Sequence, residues 1–254
     1  MLKMGCAGFP IGRDRYWRSL SFVEALTGET MPRPGTLAEW RASAPPEAEF
    51  AVQAYRLITH GREDRGFPRA GRKLAASRQL HCGAFRDNLE VHEAWMSTKA
   101  AAEALGAKIV VFETPASFQP GPDRLRDMYR FFKVLARGRF TFVWQPRGRS
   151  WEGALADKVC GELGLIRAFD PLKERPPERG AFRYLRPQGP RMGSLSVDNL
   201  ATIREAAREK PSYLVFTHRD AFRDAERLLD AGAARQVRPS GRPASAQTRR
   251  PDIS

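Results

Sequence analysis

Short apolar runs punctuate the chain, and each stops at a polar or turn-forming residue. Eight of them read as β-strands: residues 2–6, 21–25, 50–54, 109–113, 140–144, 165–169, 182–186 and 213–217. Several are apolar on both faces, the pattern of strands in a parallel sheet covered on each side. Helical periodicity fills most of the gaps. "TLAEWRAS" (36–43) follows the second strand. "NLEVHEAWMSTKAAAEALG" (88–106) places Leu89, His92, Met96 and Ala100 at helical spacing, with Gly106 as the stop. "PDRLRDMYRFFKVLARG" (122–138) opens on Pro122 and closes near Gly138, the usual proline-first, glycine-last order. "SWEGALADKVCGELG" (150–164) offers Ser150 as N-cap and Gly164 as stop. Residues 196–210 and 219–232 supply two more helices.

Strands alternating with helices imply parallel pairing through right-handed crossovers. Eight such units predict a closed (β/α)8 TIM barrel in one domain, residues 1–233. Two places break the rhythm. "FPIGRDRYWRSL" (9–20) reads as loop between the first two strands, and residues 55–87 read as a long basic insertion able to act as a lid. Residues 234–254 are rich in Arg, Pro and Ser and read as a disordered tail.

Composition changes this picture only in part. An apolar content of 42% supports a core and argues against global disorder. No run of eighteen apolar residues occurs, so no membrane partner is expected. The opening "MLKMGCAGFP" has no apolar segment of the secretion-signal kind. Cys6, Cys82 and Cys160 form no C-x-x-C pair, and an odd count fits reduced thiols in a cytoplasmic protein. Cys160 reads as helix core, whereas Cys6 ends a strand where it could line a site. The formal charge of +14, carried by 35 arginines and 8 lysines, attracts polyanions, so nucleic acid is a possible partner. The same charge suits a small anionic ligand.

Candidate chemistry lies at the strand ends. In a (β/α)8 barrel the C-terminal rim is the reactive face. Polar residues gather there: Glu24, Gln53, Glu113, Gln145, Asp170, Arg186, Thr217 and His218. Burying so many polar groups in strand interiors would be costly without a purpose. Glu113 is the candidate acid or base, with Gln145 and Glu24 beside it. Gln53, His60, Arg147, Asp170, Arg186 and His218 are candidate ligand-binding residues. Arg147 and Arg186 suit a bidentate clamp on phosphate or carboxylate. Each has a structural alternative: Asp170 precedes Pro171 as a turn former, His218 could cap a helix, and Trp151 could simply pack a helix start. Glu24, Glu113, Asp170 and His218 have metal-ligand chemistry, but no motif such as H-E-x-x-H is present, and no metal is expected. No cofactor motif occurs.

Seven ordered blocks resemble the DUF72 (YecE-like) family of uncharacterised TIM-barrel proteins, over about residues 2–230 and nearest its archaeal-type branch. They are "GCAGFP" (5–10), "FVEA" (22–25), "TLAEWRASAP" (36–45), "AEFAVQAYRLITH" (48–60), "AKIVVFETPASF" (107–118), "FTFVWQPRGRSW" (140–151) and "AFDPLKERPPERG" (168–180). The resemblance implies the barrel fold and no known activity. It also marks departures. Relatives usually carry glutamine where Glu113 stands, glutamate where Gln145 stands and lysine where Gln53 stands. Strand seven usually leads into a Leu-His-Gly turn, here "LRPQG", and strand eight into Phe-Asn-Asn, here "FTHRD". The expectation is an enzyme, or a former one, acting on an anionic or polyhydroxylated ligand in the barrel mouth. The alternative is a non-catalytic barrel that binds nucleic acid through its basic surface and tail.

Overall fold

The computed structural model describes residues 1–236, Ala70, Ala136 and Glu152 excepted. The strands are β1 (Leu2–Ala7), β2 (Phe22–Ala25), β3 (Glu49–Gln53), β4 (Ile109–Glu113), β5 (Thr141–Gln145), β6 (Ile166–Phe169), β7 (Arg183–Leu185) and β8 (Ser212–Phe216). Each pairs in parallel with its neighbour in sequence, and β8 returns to β1, so the sheet closes into a (β/α)8 barrel. The helices are α1 (Arg13–Ser19), α2 (Pro34–Ala42), α3 (Ala76–Gln79), α4 (Leu89–Ala104), α5 (Pro122–Val134), α6 (Gly153–Leu163), α7 (Val197–Ala206) and α8 (Ala221–Gln236).

Strand alternation builds two cores. Phe22, Ile109, Val111, Val143, Tyr184 and Val215 point inward and fill the barrel. The outward residues meet the helices in a larger core, in which Phe85, Phe112, Phe131, Phe132 and Phe142 pack ring against ring. Cys6 belongs to this outer core. It faces the helices rather than the mouth, and burial pushes its thiol up to about 12. Cys160 packs there as expected.

Three expectations about the frame need correction. First, the 9–20 stretch contains a helix, α1, whose buried Tyr16 sits against the β1–β2 seam. The Tyr16 hydroxyl accepts from the Cys6 amide at 2.8 Å and donates to the Phe22 carbonyl at 2.7 Å. Gly5 makes room for this seam, since a Cβ there would collide with the Phe22 carbonyl oxygen. Secondly, α4 exists, but Leu89, His92, Met96 and Ala100 lie on its exposed side. The buried face is Val91, Ala94, Trp95, Thr98 and Ala101, and Asn88 caps its start through Val91 N. Thirdly, residues 55–87 are no free lid. Ile58, Phe67, Cys82 and Phe85 are buried in the outer core, and Gly83, at φ +83°, lies so close to the His60 backbone that a Cβ would collide with it.

Two of the helix stops read from glycine hold: Gly106 and Gly164 take positive φ just past α4 and α6. α5 stops earlier than Gly138, at Val134, where Leu135 turns extended. Ser150 is not a cap: α6 starts at Gly153, and the Ser150 hydroxyl is buried without a partner. α8 runs to Gln236, past the 233 boundary. The rest of the expected tail, residues 237–254, lies outside the described residues.

Candidate functional site in the barrel mouth

Inward-facing positions at the ends of β2, β3, β4 and β7 deliver Glu24, Gln53, Glu113 and Arg186 to one charge cluster. Arg186 stands just past β7 and is almost fully buried at 3% exposure. Its Nη2 donates to Glu24 Oε1 at 2.8 Å and its Nη1 to Glu113 Oε2 at 3.0 Å. Glu24 has no solvent exposure. It also accepts from Gln53 Nε2 at 2.7 Å and from the Tyr184 hydroxyl at 2.8 Å. Four donor–acceptor contacts thus tie the floor of the mouth together, as a buried charge requires.

Above the floor, Glu113 meets two more cations. Arg147 Nη2 donates to its Oε2 at 3.1 Å, and Arg56 Nη2 lies 3.5 Å from its Oε1. Burial works to raise the Glu113 pKa, but Arg186, Arg147 and Arg56 together outweigh it and hold the carboxyl below its ordinary value. Burial likewise opposes the charge on Arg186, and Glu24 and Glu113 overcome it, so that its pKa is raised.

The cavity over this cluster has a volume of about 680 Å³. Five arginines line it (Arg56, Arg147, Arg186, Arg191 and Arg219) against two carboxylates, Glu29 and Glu113. Gln53, Thr217, His218 and the Gln188–Arg191 turn complete the wall. A larger groove of about 840 Å³ lies between α7 and α8, lined by Val197, Leu200 and Leu228, but it is remote from the strand ends.

The sequence matches the family described as protein of unknown function DUF72 over residues 16–248. The chain belongs to the DUF72 family. No curated protein matches it. Two solved DUF72 proteins share its fold. One from Enterococcus faecalis has 15% identity and a TM-score of 0.65, covering 92% of this chain and 98% of its own. One from Thermotoga maritima has 15% identity and a TM-score of 0.63, covering 92% and 99%. Endonuclease IV from Thermus thermophilus is a more distant likeness, at 11% identity and a TM-score of 0.54 over 92% and 98%. At these identities the likeness is one of fold.

Not every rim residue of this DUF72 chain faces the cavity. Gln145 pairs in register with Glu113 across β4 and β5, but it is buried at 6% exposure and its Oε1 has no hydrogen-bond partner. Asp170 is a turn former: its carboxylate accepts from Leu172 N at 3.0 Å and Gln188 N at 3.1 Å, fixing the loop after β7. His60 is buried beside Thr59, whose Oγ1 lies 2.8 Å from Nδ1. Burial and Arg56 push its pKa down to about 4. It backs the wall and does not line it. His218 lines the cavity, with Nε2 fixed 2.8 Å from Asp224. Trp151 packs: it stacks on Phe118, stands edge-on to Trp144, and its Nε1 donates to the Phe118 carbonyl. Among the described residues, no group of three or more His, Cys, Asp or Glu side chains could hold a metal ion.

Sequence reasoning missed Arg56 and Tyr184. Arg56 lies in a turn three residues beyond β3, one arginine among 35. Tyr184 could have been found: it shares strand parity with Arg186 and so must point inward beneath it.

Proposed function

We propose that the barrel mouth binds, as ligand or substrate, a small anion of the carboxylate or phosphate class. The observation that carries this reading is the imbalance of five arginines against two carboxylates around one cavity. Arginine is the side chain suited to planar, bidentate recognition of such anions. Arg56 and Arg147, with side chains 18% and 32% exposed, are the accessible arms of the clamp. Arg186 is held from below by Glu24 and sets the floor.

Glu113 is the acid or base in this reading, and its partners suggest how it would be activated. Paired with three guanidiniums, Glu113 is a weak base. An arriving anion competes for Arg56 and Arg147. It also repels the carboxylate, and both effects raise its proton affinity. Gln53 flanks it in the cavity wall as an amide able to orient a polyhydroxylated ligand.

A thermal-shift screen with inorganic phosphate, citrate and sugar phosphates tests the reading. A ligand at a hundred times its Kd adds about 2.7 kcal/mol to stability. The expected result is a shift in the native chain that is lost in Arg56→Ala and Arg147→Ala. Equal shifts in the native chain and both variants would remove the mouth as the site. The formal charge of +14 favours a second reading, nucleic-acid binding over the basic surface. That reading expects short DNA or RNA to bind the arginine variants as well as the native chain.

A further inference from the structure

We propose that His218 accepts a hydrogen bond from a hydroxyl of the ligand, so that the mouth selects hydroxylated anions over plain ones. This rests on the reading of the mouth as an anion site and names the ligand class more closely.

His218 follows β8 and lines the mouth wall. Its side chain is 4% exposed. Asp224, fully buried on α8, holds Nε2 at 2.8 Å. The same carboxylate oxygen accepts from Leu195 N at 2.7 Å, and its other oxygen accepts from Arg227 at 2.7 Å. A carboxylate so placed is an acceptor only, so Nε2 carries the hydrogen. In the neutral ring the lone pair is then on Nδ1. That atom is buried and has no hydrogen-bond partner. A carboxylate-oriented imidazole with a bare, enclosed nitrogen is an acceptor awaiting a donor.

The loop after β7 covers it. Gly189 lies against the ring: a Cβ there would come to 2.5 Å from Nδ1 and closer still to Cγ. Its φ falls outside the left-handed range, so the glycine serves closeness to the imidazole rather than backbone freedom. The loop is fastened on either side: Gln188 N donates to Asp170 at 3.1 Å, the Thr217 hydroxyl donates to the Pro187 carbonyl, and Leu195 N is held by Asp224. Arg191, Met192 and Gly193, between the fastenings, are exposed. A ligand anchored on the mouth arginines reaches Nδ1 by lifting the span from Gly189 to Gly193. A fully ionised anionic group carries no hydrogen to donate to Nδ1; a ligand hydroxyl does.

Two measurements test this on the full chain. The first compares glycerol 3-phosphate with propyl phosphate by calorimetry. These probes share an anion and differ in hydroxyls. The native chain is expected to favour the hydroxylated probe about tenfold, the worth of one good hydrogen bond. His218→Leu is expected to lose that preference and keep its affinity for propyl phosphate. Equal affinity of the native chain for both probes, or a preference that survives in His218→Leu, overturns the proposal and leaves the anion site standing. If neither phosphate binds, the arginine reading fails and this one with it.

The second measurement needs neither ligand nor that variant to fold. Diethyl pyrocarbonate acylates a neutral imidazole nitrogen that bears a lone pair, and mass spectrometry resolves the four histidines. Gly189→Ala should lift the loop and speed modification of His218, while buried His60 stays protected as the control for folding. No acceleration at His218, with His60 still protected, overturns the proposal.

Discussion

Replacing Arg186 with methionine isolates the energetics of the mouth floor. The side chain is nearly the same length but carries no charge, and it leaves two carboxylates behind. Glu113 keeps Arg147 at 3.1 Å and Arg56 at 3.5 Å, both partly open to water. Glu24 keeps only the neutral donors Gln53 and Tyr184 and has no exposure at all. Breaking a buried pair from one side costs about 3–5 kcal/mol, because an uncompensated charge stays inside. For a domain of this size that lowers Tm by roughly 6–20 °C. Paired denaturant and thermal unfolding of Arg186→Met measure it. Adding Glu24→Gln should recover most of the loss, since the second change removes the stranded charge. A single variant within about 1 kcal/mol of the native chain, or a double variant no better than the single, would refute the account of the floor as a charge-balanced network.

Other perturbations follow from the same contacts. His60 has its pKa lowered from 6.5 to about 4, so the unfolded chain binds the proton that the fold refuses. Its contribution is therefore full above pH 6.5 and is lost as pH falls towards 4; unfolding of His60→Asn across that window should show a shallower slope. The lowered Glu113 pKa acts further down, its stabilisation present above about 4.5 and lost as pH falls through the lower folded value; Glu113→Gln should remove that part of the acid loss. Trp151→Ala empties a site between Phe118 and Trp144 and should cost about 3–5 kcal/mol by denaturant unfolding, with no change in phosphate affinity. If nucleic acid binds, log K should fall linearly with log salt; an affinity unchanged between low and physiological salt would refute binding through phosphate contacts.

Much of the frame was legible because it rests on period and punctuation. All eight strands were marked by apolar runs, and their ends put Glu24, Gln53, Glu113 and Arg186 at one rim. What period does not encode is where a polar side chain turns after the strand stops. Asp170 has the inward parity of Ala168, yet its carboxylate folds back onto Leu172 and Gln188. α1 was hidden because seven residues with one fully buried side chain leave almost no periodic trace. The spacing of Leu89, His92, Met96 and Ala100 marked α4 but not its buried face, because Leu89 and Met96 are as apolar as Val91 and Trp95, and only packing decides between the two stripes. Arg56 could not stand out by type among so many arginines.

The Tyr16 hydroxyl has a practical consequence at the start of the chain. It serves as a rung between β1 and β2, made of a side chain that only α1 can supply. The family match begins at residue 16, yet β1 begins at Leu2 and is hydrogen-bonded to β8 from Leu2 through Cys6. A fragment trimmed to the matched segment would keep the tyrosine and lose the strand. The facing edges of β2 and β8 would then present unpaired amides and carbonyls, a template for other chains. Such a fragment should aggregate where the longer chain stays dispersed, and the boundary for any expressed DUF72 domain of this kind belongs before its first strand.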